Sequence, residues 1–146
     1  MAAQAVRRLE EDVSLAIIRK ADALMQVVTD LLKPHGLSAT QYNVLRILRG
    51  AGTDGASCKE ISNKLIARDP DVTRLMDRLE KRGLLTRDRA KEDRRVVTHQ
   101  LTPEGLALLK ELDEPIQNIH RTVMRGVKPA NLKTLLSILE EIRIEG

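Results

Sequence analysis

The chain has 146 residues, 42% of them hydrophobic and 32% charged, with eight Gly and five Pro; that is enough for one domain with a real core, too little for two, and neither disordered nor of low complexity. A formal charge of +4 and a pI near 9.5 fit nucleic-acid binding, while one Tyr and no Phe or Trp argue against single-strand readers that stack bases on aromatic rings. Cys58 is the single cysteine, which excludes an intramolecular disulfide or a thiolate zinc cluster and fits a reducing compartment.

The opening segment Met1 to Ser14 lacks the basic start and continuous apolar run of a signal peptide, and no stretch of about 18 apolar residues follows. A soluble, cytoplasmic protein with no membrane partner is expected. Val6, Leu9, Val13, Ile17, Leu24, Val28 and Leu31 recur mostly three, four or seven apart, the stripe of a long amphipathic helix that Lys33-Pro34-His35-Gly36 ends. Ser38 with Gln41 makes a capping box, stapled by Leu37 and Tyr42, and opens a second helix carrying Val44, Leu45, Ile47 and Leu48. The loop at 50–55 precedes another capping box, Ser57 with Glu60, and a short third helix with Ile61 and Leu65 on one face.

Asp69 followed by Pro70 reads as an N-cap with proline at the first helical position, predicting a helix from Pro70 to Arg82 with a stop at Gly83. Its apolar face is Val72, Leu75, Met76 and Leu79, and its polar face is Thr73, Arg74, Asp77, Arg78 and Lys81. Leu84 to Arg87 and Val96 to Leu101 flank a charged connection, Asp88 to Arg95, which predicts a two-stranded hairpin with an extended basic tip. Thr102-Pro103 opens a helix through Leu106, Leu109, Leu112, Ile116, Ile119 and Val123, with Pro115 as an expected kink or break. A last helix carries Leu132, Leu135, Leu136, Leu139 and Ile142.

The charge is concentrated: between Arg68 and Arg95 ten Lys and Arg face seven Asp and Glu, a balance of +3. Helix, short helix, helix and hairpin in that order make a winged helix-turn-helix, whose second motif helix enters the major groove of duplex DNA. Arginines on the hairpin can fork onto a phosphate or enter the narrow, electronegative minor groove. The expected fold is mainly α with a small β hairpin. It forms one domain over 1–146, with a DNA-binding module at 38–102 and terminal helices at 6–33 and 103–145.

These residues carry a family resemblance. Val72 to Arg87 reads VTRLMDRLEKRGLLTR, Asp93 to Arg95 reads DRR and Leu101 to Gly105 reads LTPEG. In type and spacing the set resembles the MarR (multiple antibiotic resistance regulator) family, over nearly the whole chain. The resemblance implies terminal helices that interlock into a homodimer, a roughly palindromic operator, repression by covering promoters and, as in many family members, release by a small-molecule effector or an oxidant. It puts Arg95 at the minor groove with Asp93 positioning a neighbouring arginine.

The expected DNA-binding residues are Asp71, Thr73, Arg74, Arg78, Lys81, Arg87, Arg94 and Arg95, with Asp93 positioning the wing. Asp69-Pro70-Asp71 departs from the pattern by putting acids at the start of the recognition helix, where a carboxylate meets phosphates badly but can accept from cytosine N4. Asp77 and Glu80 are expected to pair with neighbouring Arg and Lys at helical spacing. Cys58 is expected to be a partly buried, inert thiol. His35, His99 and His120 show no metal-ligand spacing, and no phosphate loop, nucleophile motif or carboxylate pair in a recognisable setting appears, so neither a cofactor, a metal nor an enzyme is expected. The competing readings are a winged helix that docks another protein without binding DNA, and a helical ligand or redox sensor without DNA affinity.

Overall fold

The computed structural model describes residues 2–89, 92, 93 and 95–145, with side chains from Arg8 onward. Helix α1 (Ala2–Leu32) passes through a 3-10 turn at Lys33–His35 into α2 (Ala39–Ala51). A second 3-10 turn leads to strand β1 (Ala56–Ser57), α3 (Cys58–Lys64) and α4 (Val72–Lys81). Strands β2 (Leu85–Arg89) and β3 (Val97–Leu101) form the hairpin, and α5 (Pro103–Val123) and α6 (Pro129–Glu141) follow. The expected fold, mainly α with a small β hairpin, holds: among the described residues there are six α-helices and one small antiparallel sheet.

Both capping boxes form. Ser38 Oγ accepts the Gln41 amide at 3.1 Å while Gln41 Oε1 accepts the Ser38 amide at 2.9 Å, and Ser57 and Glu60 exchange the same pair of bonds. Two otherwise unpaired helix-start donors are satisfied at each. Leu37 and Tyr42 are buried as the staple requires.

The α4 boundary differs from the expected Pro70 start. Asp69 Oδ1 accepts the Asp71 amide at 2.8 Å, a local turn that competes with the helix. Asp71 stays outside helical geometry (φ −124°, ψ 53°) and becomes the N-cap. Pro70 therefore belongs to the turn. At the other end, Leu84 N–H bonds Leu79 O and Gly83 N–H bonds Glu80 O, with Gly83 at φ +75°; this pattern satisfies the last carbonyls and turns the chain sharply into β2.

The sheet order is β1-β3-β2, with Ala56 opposite His99 and the hairpin register running from Leu85–Leu101 to Arg89–Val97. The β1 strand is an addition to the expected hairpin, and β2 runs two residues further toward the tip. Ala90, Lys91 and Arg94 in that tip lie outside the described residues. Of the kink or break expected at Pro115, a break does not occur: helix α5 continues through it.

Leu32, Val44, Leu45, Leu48, Ile61, Met76, Leu79, Leu85, Leu109, Leu112 and Ile116 form one core, each at most 2% exposed. A buried side chain of this size contributes about 1.5–3 kcal/mol relative to an exposed one. The terminal helices contrast with this core. Residues 8–23 of α1 are all exposed, α6 has no buried residue, and Leu9, Ile18, Leu136 and Ile138 stand open to solvent.

Candidate nucleic-acid interface

Helix α4 buries Val72, Met76 and Leu79 against the module core. By the 3.6-residue period this turns Thr73, Arg74, Arg78 and Lys81 outward, and all four are exposed. The Asp71 carboxylate, expected near a cytosine, is engaged with its own helix: Oδ1 accepts the Arg74 amide at 3.3 Å and Oδ2 pairs with Arg74 Nε at 3.2 Å. Asp71 thereby caps α4, and Arg74 counters part of the charge it would present to a phosphate.

Arg87 crosses from β2 onto α4, where its guanidinium bonds Asp77 and pairs with Glu80 at 3.2 Å. The two acids thus answer a strand arginine rather than the helix neighbours expected for them. Their shared partner joins the recognition helix to the wing.

On the wing, Asp93 Oδ1 accepts the Arg95 amide at 3.0 Å and Asp93 O accepts the Val96 amide at 3.0 Å. Asp93 holds the backbone of Arg95, whose side chain is exposed. Arg94 lies outside the described residues.

The wing base is tied to the end of α4. Thr102 Oγ1 donates to Gly83 O at 2.6 Å and accepts the Gly105 amide at 3.0 Å, and the Thr102 amide donates to Leu84 O at 3.2 Å. A Cβ at Gly105 would stand 2.3 Å from Leu84 O, so only glycine lets α5 start this close to the strand.

An open cavity of about 450 Å³ lies between the start of α3, α4 and β3, lined among others by Cys58, Thr73, Met76, Arg87, Arg95 and His99. Burial pushes the Cys58 thiol up, against the pull of Arg87, which favours the unreactive protonated form. His99 is 2% exposed, with Nδ1 3.4 Å from Ala56 O. Burial pushes its ring down, and Arg87 acts in the same direction. Among the described residues no group of three or more His, Cys, Asp or Glu could hold a metal, and no helix is long and apolar enough to cross a membrane.

A basic helix with its apolar side in the core, an anchored hairpin carrying an exposed arginine, and a capped short helix before them define a winged helix-turn-helix DNA-binding protein. The MarR family model matches residues 37–97. The crystal structure of a MarR transcription factor from Planctomyces limnophilus is 36% identical, with 90% of this chain and 96% of that one covered and a TM-score of 0.70. The HTH-type transcriptional regulator FarR of Neisseria gonorrhoeae is 29% identical over 89% of this chain and 90% of its own length. A structure of Bordetella bronchiseptica BpsR, described as regulated in DNA binding by 6-hydroxynicotinic acid, is 26% identical with a TM-score of 0.79, covering 88% of this chain and 91% of that one. The chain belongs to the MarR family and is a DNA-binding transcriptional regulator.

Proposed function

We propose that the protein is a homodimeric repressor that binds a roughly palindromic operator and is released by a small organic acid. The observation that carries this reading is the pairing of an outward cationic face on α4 with a wing whose Arg95 is held by Asp93. In the proposed complex α4 lies in the major groove, with Thr73, Arg74 and Arg78 toward base edges and Lys81 toward phosphate. Asp71 orients Arg74, and Arg94 and Arg95 enter the minor groove or meet its phosphates. Arg87, already paired with Asp77 and Glu80, shapes the surface between helix and wing and offsets the negative charge of those two acids beside the duplex.

Dimerisation is supported by the terminal helices. A helix without one buried residue, and half of another whose residues are all exposed, with Leu9, Val13, Ile17 and Ile18 among them, call for a partner surface, since large apolar side chains left open together mark an interface. A twofold axis through these helices would set two α4 copies about one DNA turn apart, on the order of 10 bp.

The effector reading rests on the cavity beside α4. Met76, Val96 and Val97 give it an apolar wall, and Lys59, Arg87 and Arg95 give it cations, a lining suited to a small aromatic carboxylate. An occupant would engage Arg95 and so compete with DNA. BpsR, with its hydroxynicotinic acid, is the relative that makes this ligand class worth testing.

The test is fluorescence anisotropy of the purified protein with labelled DNA from upstream of its own gene, across a salt series, for the wild type and Arg95→Ala. Tight binding that falls steeply with salt and is weakened by the substitution supports the reading. Absence of binding to any duplex at low salt would instead favour a protein-docking winged helix.

A further inference from the structure

Arg82 is the one basic residue of the α4 end whose guanidinium turns away from the face argued to meet DNA. Its Nη1 donates to Gly36 O at 2.8 Å and its Nη2 to His35 O at 2.9 Å. The two carbonyls belong to the turn that closes α1, more than forty residues earlier in the chain. The 3-10 turn after α1 carries Lys33 and His35 of its own, and Arg82 adds from another element a cation that hydrogen-bonds its last carbonyls directly.

The contact is held at both ends. Arg82 is the C-cap of α4, its amide bonded to Arg78 O at 3.2 Å, and the turn at Gly83 and Leu84 fixes the backbone beyond it. On the other side, the Gly36 amide bonds Lys33 O at 2.9 Å and the Leu37 amide bonds Leu32 O at 3.3 Å. A planar guanidinium spanning two neighbouring carbonyls fixes an angle as well as a distance, which a single ammonium does not. Among the described residues a second side-chain fork joins the module to the terminal helices, Arg49 of α2 gripping Asp113 of α5 through two bonds of 2.9 Å, but it does not reach α4. Arg82 ties the end of α4 itself to the α1 turn.

We propose that Arg82 is a positioning residue that clamps the recognition helix to the end of α1 and thereby sets the spacing of half-sites the dimer accepts. This rests on the dimeric DNA-binding reading above. Arg82 makes no phosphate contact in this account, because its guanidinium is docked through Nη1 and Nη2 on the α1 turn, away from the outward face of α4.

The test measures Arg82→Ala and Arg82→Lys on palindromic duplexes whose half-sites are moved together or apart by one and two base pairs, with a salt series on the best one. Arg82→Ala is expected to lose roughly two- to thirtyfold in affinity at the preferred spacing and to discriminate less between spacings, while its salt slope stays that of the wild type. Arg82→Lys should recover part of both properties. A salt slope reduced by about one unit would make Arg82 a phosphate contact and overturn the proposal, and so would an unchanged preference among spacings. Amide hydrogen exchange in the free protein needs neither dimer nor DNA. Arg82→Ala should speed exchange at 33–37 and at 78–84 together, and exchange unchanged at either segment would overturn the clamp even if no duplex were bound. A wild type that binds no duplex, with the exchange result as expected, would remove the DNA reading and the spacing role while leaving the clamp.

Discussion

Asp93 takes the Arg95 amide on its carboxylate at 3.0 Å and so places the wing arginine through its backbone, leaving the guanidinium to face outward. Removing Asp93 therefore acts on DNA through Arg95. Asp93→Ala should weaken duplex binding by about 1 kcal/mol, the order of one intramolecular hydrogen bond. Arg95→Ala should weaken it by about 1–3 kcal/mol and reduce the salt slope by about one. The double variant should be little worse than Arg95→Ala alone, because the two residues act as one unit. Additive losses in a binding titration would show that Asp93 acts independently.

Arg87 should behave differently. Its guanidinium is committed to Asp77 and Glu80 across the α4–β2 junction, with about half of each side chain exposed, so Arg87→Ala should cost no more than about 1 kcal/mol of stability. Chemical denaturation and a salt series on the same variant separate the two roles. A stable variant whose salt slope falls as far as that of Arg95→Ala would place Arg87 on a phosphate.

Gly105→Ala should destabilise the wing base. The added Cβ would meet Leu84 O at 2.3 Å, and relieving that clash means moving α5 from the strand or breaking the Thr102 bonds, at a cost of about 1–3 kcal/mol. Thermal unfolding measures the loss, and a melting temperature equal to that of the wild type would contradict the close packing.

Acid should weaken the fold in two windows. The buried His99 ring has its pKa pushed down by burial, with Arg87 adding to the shift and Ala56 O, Glu80 and Asp77 opposing it. The unfolded chain therefore takes up this proton before the folded one, so stability is full above about pH 6.5 and falls as the pH drops through and below that value. Asp113 is held down chiefly by its bonds from Arg49, and its contribution is lost lower, as the pH falls through the carboxylate range. Denaturant midpoints between pH 8 and pH 5 should decline in the wild type and decline less in His99→Gln. Equal slopes would mean that His99 is not the group titrating.

The parts of this molecule that are legible in its sequence are those decided within a few residues. Ser38 with Gln41, Ser57 with Glu60, and Gly83 after the last α4 turn each specify a helix end through bonds to close neighbours. The exposed α4 side chains follow from the helical period around Val72, Met76 and Leu79. The α4 start is misread because Asp69 and Asp71 are both good caps, and only the local turn from Asp69 Oδ1 to the Asp71 amide decides between them. Strand β1 is two residues long, too short to show alternation. The Arg87 ion pairs, the Arg49–Asp113 fork and the Arg82 clamp join residues from separate elements, and a charged residue's distant partner leaves no mark in local spacing.

The central claim is that two copies of α4 and the wing read one duplex about a twofold axis. It is tested most directly by selecting from a pool of random duplexes with the purified full-length protein and sequencing what is retained. The account predicts enrichment of an inverted repeat whose half-site centres lie about one helical turn, on the order of 10 bp, apart. Retention of duplexes no different from the starting pool, or of a single motif without its inverted copy, would contradict it.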